Sequence, residues 1–248
     1  MYNPFSLIGK TILVTGASSG IGRATAIECA KMGAQVVLTA RNEERLQATL
    51  AEMPGNDHLM IPADLTDETT IRNLADKVLD LDGVVFCAGK SQFKPIQALK
   101  SEDIQDIFAT NYTAPVLLTK ALLKERKLVK SSSLVYIASI SGNGNIAPAL
   151  SVYGASKSSL MTFVKYAAVE LAGRNIRCNT ICPGRIQTDL IQNTIMTAED
   201  IQKDIDKYPL KRYGRPEEVA QAAVYLLSDA SQWMTGTALK LDGGRTLS

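Results

Sequence analysis

Thr15-Gly-Ala-Ser-Ser-Gly-Ile-Gly22 decides the fold. It follows directly on the apolar, β-branched run Thr11-Ile-Leu-Val-Thr15 and leads into a segment of helical period. Strand, glycine turn and helix in immediate succession mark the start of a βαβ unit. Gly16, Gly20 and Gly22 let the backbone turn sharply and approach a phosphate, while Ser18, Ser19 and Ile21 fill the turn. The helix that follows offers unpaired N–H groups and a partial positive charge to an anion. The G-x-x-x-G-x-G spacing is one residue longer in its first gap than the common dinucleotide fingerprint.

Outward from this turn, strands are predicted at 11–15, 35–40, 59–63, 83–88, 133–138, 176–181 and 238–241. Most are continuous apolar runs, as in Val84-Val-Phe-Cys87, which suit a parallel sheet covered on both faces. Helices are predicted between them at 21–32, 43–52, 68–79, 102–126, 152–172 and 217–227. Asn42 and Ser101 precede acidic first turns as N-cap candidates, and Pro216 suits N1. Pro115 inside the fourth helix predicts a kink near 111–115. The alternation fills the chain, so the expected fold is one doubly wound, Rossmann-type α/β domain spanning 1–248. Between 188 and 215 the pattern loosens around the capped run Thr197-Ala-Glu-Asp200. That stretch reads as a substrate lid or as a surface excursion.

Composition narrows the chemistry. The 248 residues carry 27 basic and 25 acidic side chains, a net charge of +2, too weak a field to recruit nucleic acid or a membrane. His58 is the one histidine, so a Ser-His-Asp triad or a multi-histidine metal site has a single route, and no metal is expected. Cys29, Cys87, Cys178 and Cys182 are scattered thiols in apolar contexts, as in a reducing compartment. The first residues show no secretory pattern, so a soluble cytoplasmic protein is expected.

A dinucleotide site normally carries an acid at the end of the second strand, to bind the ribose 2′-hydroxyl. Here Ala40 and Arg41 stand there. A guanidinium binds a 2′-phosphate that a carboxylate would repel, which points to NADP(H). Asp64, after the third strand, is placed to contact an adenine edge or to cap the next helix. Tyr153 and Lys157 share a helix face at i, i+4, where an ammonium would favour the phenolate and draw the tyrosine pKa down. Ser139 emerges at the carboxyl end of the fifth strand, where open α/β sheets bind ligands, with Ser141 as its rival.

Taken together, these residues resemble the short-chain dehydrogenase/reductase family over essentially the full chain. Thr15–Gly22 is similar to its T-G-x-x-x-G-x-G, and Asp64-Leu65 to its adenine-contacting pair. Cys87-Ala88-Gly89 matches its N-A-G with a departure at Cys87. Asn111, Ser139, Tyr153 and Lys157 match its tetrad. Asn179, Pro183-Gly184, Ile186 and Thr188 cover its N-x-x-x-P-G and nicotinamide-contacting stretch, and Asp242-Gly-Gly244 its closing D-G-G.

The resemblance implies that Tyr153 is the acid–base group and that Ser139 binds the substrate oxygen. It implies that Lys157 serves the tyrosine and the nicotinamide ribose, and that Asn111 positions a water. Family members that reduce C=C bonds space their Tyr and Lys more widely, which argues for a ketone. The C-terminal third, Arg212–Val219 and Thr235–Gly244, looks most like 3-oxoacyl-[acyl-carrier-protein] reductases. Sugar, polyol and hydroxysteroid dehydrogenases of the family remain alternatives, and a non-catalytic NADP(H)-binding sensor or scaffold is the alternative from another class.

Two further expectations concern partners. Lys124, Arg126, Lys127, Lys130 and Arg174 form either a basic rim for an acidic carrier protein or dipole-complementing helix ends. Helices 102–126 and 152–172 carry apolar residues beyond one stripe, among them Leu117, Leu123 and Phe163. A second buried face and a homotetramer are expected.

Overall fold

The computed structural model describes residues 2–188 and 197–247. Seven parallel strands form one sheet in the order β3-β2-β1-β4-β5-β6-β7. They are β1 Thr11–Thr15, β2 Gln35–Thr39, β3 Leu59–Met60, β4 Leu81–Phe86, β5 Leu128–Ile137, β6 Arg177–Pro183 and β7 Ala238–Leu241. The described α-helices are α1 Gly20–Lys31, α2 Glu43–Ala51, α3 Glu68–Lys77, α4 Ser101–Phe108, α5 Ala114–Lys124, α6 Ser151–Glu170, α7 Ala198–Ile205 and α8 Pro216–Leu227.

Alternate strand residues feed two cores. Ile12 and Val14 point to one side, with Ala26 and Cys29 of α1, Leu46 of α2 and Val219 of α8. Leu13 points to the other, with Leu74 of α3, Leu118 and Leu122 of α5, and Leu160 and Val164 of α6. Both faces are covered, which is why the strands read as continuous apolar runs. The strand order reverses between β1 and β4. A crevice opens there beyond the carboxyl ends of the strands, where such sheets bind ligands.

Several local expectations are corrected. The long helix predicted over 102–126 is two helices joined by a π turn, Ala109–Thr113. The interruption therefore precedes Pro115, which sits in the first turn of α5, where a missing N–H is tolerated. The ring has no N–H to give the Asn111 carbonyl four residues back, so the regular ladder cannot pass through this point. The α4 cap is Lys100, whose N–H bonds the Asp103 carboxylate at 2.8 Å, and Ser101 is the first helical residue. Asn42 does cap α2, accepting from Arg45 N at 2.8 Å, and Pro216 stands at the start of α8.

The fifth strand begins five residues earlier than predicted. Two residues of β4 span the same length as five of β5, because Leu81 pairs with Leu128 and Gly83 with Ser133. The excess forms a bulge in which Ser131 takes φ 70°. All four cysteines are free thiols. Among the described residues, no helix is long and apolar enough to cross a membrane, and no cluster of ligands could hold a metal ion.

Candidate active site

The glycine turn is built by contact. A Cβ on Gly16 would lie 2.9 Å from the Ala88 backbone, so β1 and β4 can meet at the switch point only through a glycine. A Cβ on Gly22 would lie 2.2 Å from the Gly16 carbonyl oxygen, which holds the first turn of α1 against the loop. The Thr15 hydroxyl accepts from both Cys87 N and Ala88 N at 3.1 Å. That clamp holds the Cys87-Ala88-Gly89 turn although the expected asparagine is a cysteine. Burial pushes the Cys87 thiol up to about 12, so it is a protonated, apolar lining residue.

Two cavities meet over this turn. The first, of about 430 Å³, takes Gly16, Ser18, Ser19, Gly20, Ile21 and Gly22 from the turn, with Arg41, Asp64, Leu65, Cys87, Ala88, Gly89 and Thr188. Asn42, Arg45 and Lys90 also line it, and sequence reasoning missed them. Arg41 and Arg45 are exposed, one turn of chain apart, and together make this end of the cavity cationic. The recurrence of arginine at 41 and 45 around the Asn42 cap was the available signal. Asp64 does not cap α3. Its carboxylate accepts from Thr66 N at 2.9 Å and the Thr66 hydroxyl at 2.8 Å, while Asp67 caps the helix. These bonds hold the Asp64 carboxyl below the usual range.

The second cavity, of about 400 Å³, contains Ser139, Tyr153 and Lys157, with Pro183, Gly184, Ile186 and Thr188. It shares Ile21, Cys87, Gly89, Lys90 and Thr188 with the first, so the two form one continuous crevice. Ser139 is the N-cap of a short 3-10 turn, Ile140–Gly142, and its hydroxyl accepts from Ser141 N at 3.1 Å. Ser141 also lines the crevice, so both serines reach it, with Ser139 the more buried. Asn111 lies behind the wall. Its side chain bonds Lys90 N and Lys90 O at 2.9 Å each and the Ser156 hydroxyl at 3.1 Å. A Cβ on Gly89 would stand 3.2 Å from Lys157 Nζ and 3.3 Å from Asn111 Oδ1, so the three groups are neighbours.

The electrostatics depart from expectation. Burial raises the Tyr153 phenol above the ordinary tyrosine range, and the Ser139 hydroxyl offsets part of the rise. Lys157 is not what sets that proton. Its ammonium donates to the Ile137 carbonyl at 2.8 Å, and burial pushes its own pKa down to about 8.

The basic cluster is also not where a cleft rim would need it. Lys127 donates to Val78 O and Arg174 to Leu128 O, at the amino end of β5. With the bulged stretch counted as two residues' length, ~3.3 Å per residue puts that about 25 Å from Ser139 in the same chain. Of the 188–215 segment, residues 189–196 lie outside the described residues. Asp204, Lys207 and Tyr208 from its remainder do border the crevice.

Comparisons with known proteins agree with this architecture. A family model described as enoyl-(acyl carrier protein) reductase matches residues 16–246. The chain is similar to the 3-oxoacyl-[acyl-carrier-protein] reductase of Rickettsia conorii, 34% identical over 239 residues, covering 96% of this chain and 97% of that one. A short-chain type dehydrogenase/reductase from Mycobacterium marinum superimposes with a TM-score of 0.91 at 35% identity, covering 99% and 98% of the two chains. The Pseudomonas aeruginosa RhlG/NADP active-site complex does so with a TM-score of 0.92 at 30% identity, covering 99% and 100%.

Proposed function

Because the chain belongs to the short-chain dehydrogenase/reductase family of oxidoreductases, we propose that it is an NADP(H)-dependent ketone reductase with Tyr153 as its general acid. The observation that carries the reading is the single crevice. A glycine-floored cavity with a cationic end opens directly onto Ser139, Tyr153 and Lys157.

A dinucleotide fits the residues present. The backbone at Gly16 and Gly22 leaves no room for a Cβ, Arg41 and Arg45 suit a 2′-phosphate, and Thr188 closes over Gly20. When bound, the cofactor supplies a hydride to the carbonyl carbon. The chain's own groups handle the oxygen. The Ser139 hydroxyl donates a hydrogen bond to it, and Tyr153 delivers the proton. A phenol that burial keeps protonated is the form reduction requires. The Lys157 ammonium, beside Gly89 and Asn111, would orient the nicotinamide ribose. Asn111, through Lys90, fixes the turn behind them, next to a helix interruption able to seat a water.

The substrate class we favour is a 3-oxoacyl thioester, with sugar, polyol or hydroxysteroid ketones as the alternatives. Enoyl thioesters are disfavoured by the i, i+4 spacing of Tyr153 and Lys157. We also propose a homotetramer. Leu117, Leu123 and Phe163 are only partly buried, and Tyr166 and Val169 of α6 stand 67% and 78% exposed, leaving an apolar outer face for a second copy.

Following NADPH and NADH oxidation against a panel of oxoacyl thioesters, enoyl thioesters, sugar-derived ketones and steroid ketones tests cofactor and substrate together. NADPH turnover on a ketone supports the reading. Turnover of enoyl thioesters alone, or none of any kind, overturns it.

A further inference from the structure

The segment after β4, Lys90-Ser-Gln-Phe-Lys94, is fastened to helix α4 through every second side chain. Lys90 pairs with Asp106, while Gln92 and Lys94 both donate to the Asp103 carboxylate, the Gln92 amide at 2.7 Å. Asp103 and Asp106 stand three residues apart and so share one face of α4. The intervening side chains go to the crevice instead. Ser91 and Phe93 line the cavity that holds Ser139 and Tyr153, and Gln92 and Lys94 do not. Phe93 is 51% exposed, an apolar ring with surface left to cover a substrate.

Asp103 is the hub of this fastening. Its carboxylate also accepts from Lys100 N at 2.8 Å, which closes the first turn of α4. The Lys94 ammonium, with that N–H, holds the carboxyl down at about 2, so it is ionised at neutral pH. Hydrogen bonds between charged partners are the stronger kind. The backbone completes the frame. Asn111, just beyond α4, bonds Lys90 N and Lys90 O, and Lys94 N donates to Ala149 O at 2.8 Å. Ala149 follows Ile146-Ala-Pro148, which also lines the crevice. Asp103 therefore lies outside the cavity and yet ties down two stretches of its lining.

We propose that Asp103 is a positioning residue for substrate recognition: through Gln92 and Lys94 it holds Phe93 in place as an apolar contact for the substrate. The Lys94–Ala149 bond carries the 146–148 stretch with it. The proposal rests on reading the crevice as the ketone site. It gives one carboxylate two separable duties. As a helix cap Asp103 serves stability, and as the anchor of Lys94 it serves substrate affinity. Asparagine keeps an acceptor for Lys100 N but loses the charge that Lys94 pairs with, so Asp103→Asn isolates the second duty.

Steady-state kinetics at saturating NADPH test it. The ketone is 3-oxohexanoyl-N-acetylcysteamine or, if the parent does not reduce it, the best substrate of the ketone panel. Phe93→Ala should raise KM about tenfold, as expected for a lost apolar contact. Asp103→Asn should raise KM about fivefold, with kcat and NADPH affinity each within about twofold of the parent. Lys94→Met should reproduce Asp103→Asn. The double variant Phe93→Ala with Asp103→Asn should stay within about twofold of Phe93→Ala, because both changes act on one contact. An unchanged KM in Asp103→Asn, a rise that multiplies with that of Phe93→Ala, or a fall in kcat as large as the rise in KM overturns the proposal. If the parent reduces no ketone, the ketone reading falls separately. Calorimetric binding of the same thioester with NADP+ present then decides the inference. Weaker binding in Asp103→Asn with no further loss in the double variant upholds it; equal affinity in parent and Asp103→Asn, or no binding to the parent, overturns it.

Discussion

Replacing Lys157 by methionine should stabilise the protein at neutral pH while removing its activity. Lys157 is 5% exposed, and burial lowers its pKa from 10.5 to about 8. Below pH 8 the ammonium is charged in both folded and unfolded chains, and folding bears the whole cost of burying it. Between 8 and 10.5 the folded chain gives up a proton that the unfolded chain keeps, so stability rises with pH. Above 10.5 both are neutral and the cost has gone. The displacement from 10.5 to about 8 amounts to about 3 kcal/mol at pH 7. Methionine, unbranched and apolar, avoids it but forfeits the hydrogen bond to the Ile137 carbonyl, worth ~1 kcal/mol. The net expectation is a gain of about 2 kcal/mol at pH 7, or roughly 4–8 °C in Tm for a chain of this size. Urea unfolding of both proteins at pH 7 and pH 10.5 checks it. Taking the variant minus the parent cancels the thiols and phenols that titrate over the same range. The gain should vanish or reverse by ~1 kcal/mol at the higher pH, as only the lost hydrogen bond then remains. A variant less stable than the parent at pH 7, or a gap that does not change with pH, would refute the reasoning.

Three further outcomes follow from the same geometry. Tyr153→Phe should lower ketone reduction at least about 100-fold while NADPH affinity by fluorescence titration stays within about twofold, and retention of more than a tenth of the rate would contradict its role as acid. Gly22→Ala should cost ~1–3 kcal/mol by overpacking, because its Cβ meets the Gly16 carbonyl oxygen at 2.2 Å, and should weaken NADPH binding by calorimetry; unaltered binding would place the cofactor elsewhere. Light scattering at micromolar concentration should return a tetramer mass, and Val169→Asp on the exposed face of α6 should reduce it; a monomeric parent removes the proposed assembly.

Local chemistry explains what could be read from the sequence. The glycine turn, the strands buried on both faces, the Asn42 cap and the Tyr153–Lys157 pair are each specified within a few residues. Strand 59–63 keeps a full ladder with β2 only at Leu59–Met60, and beyond it Ile61 N and Ala63 N still donate to Leu38 O and Ala40 O at 2.9 and 3.0 Å. The bulge in β5 was hidden because its register depends on Leu81 and Gly83, nearly fifty residues away. The state of Tyr153 was misread for a related reason. Helical spacing places the Lys157 backbone beside it, but the ammonium goes to Ile137 at the end of β5, a partner set by tertiary packing.

The cations show the same distinction with a rule attached. In a parallel βα winding, each strand delivers the chain to the crevice and each helix returns it to the opposite edge. A basic residue that follows a strand therefore lands at the ligand end, and one that ends a helix leading directly into the next strand lands far from it. Arg41 after β2, Lys90 after β4, Arg185 after β6 and Arg245 after β7 all line the crevice. Lys31 and Lys124 end α1 and α5, Arg174 follows α6, and none of the three lines the substrate cavity. The run at 124–130 drew attention because four cations stand close together in sequence. Arg41, Lys90, Arg185 and Arg245 are spread over two hundred residues and share only their place after a strand. For a negatively charged substrate or cofactor, position in the winding is thus the stronger guide, and clustering along the chain the weaker one.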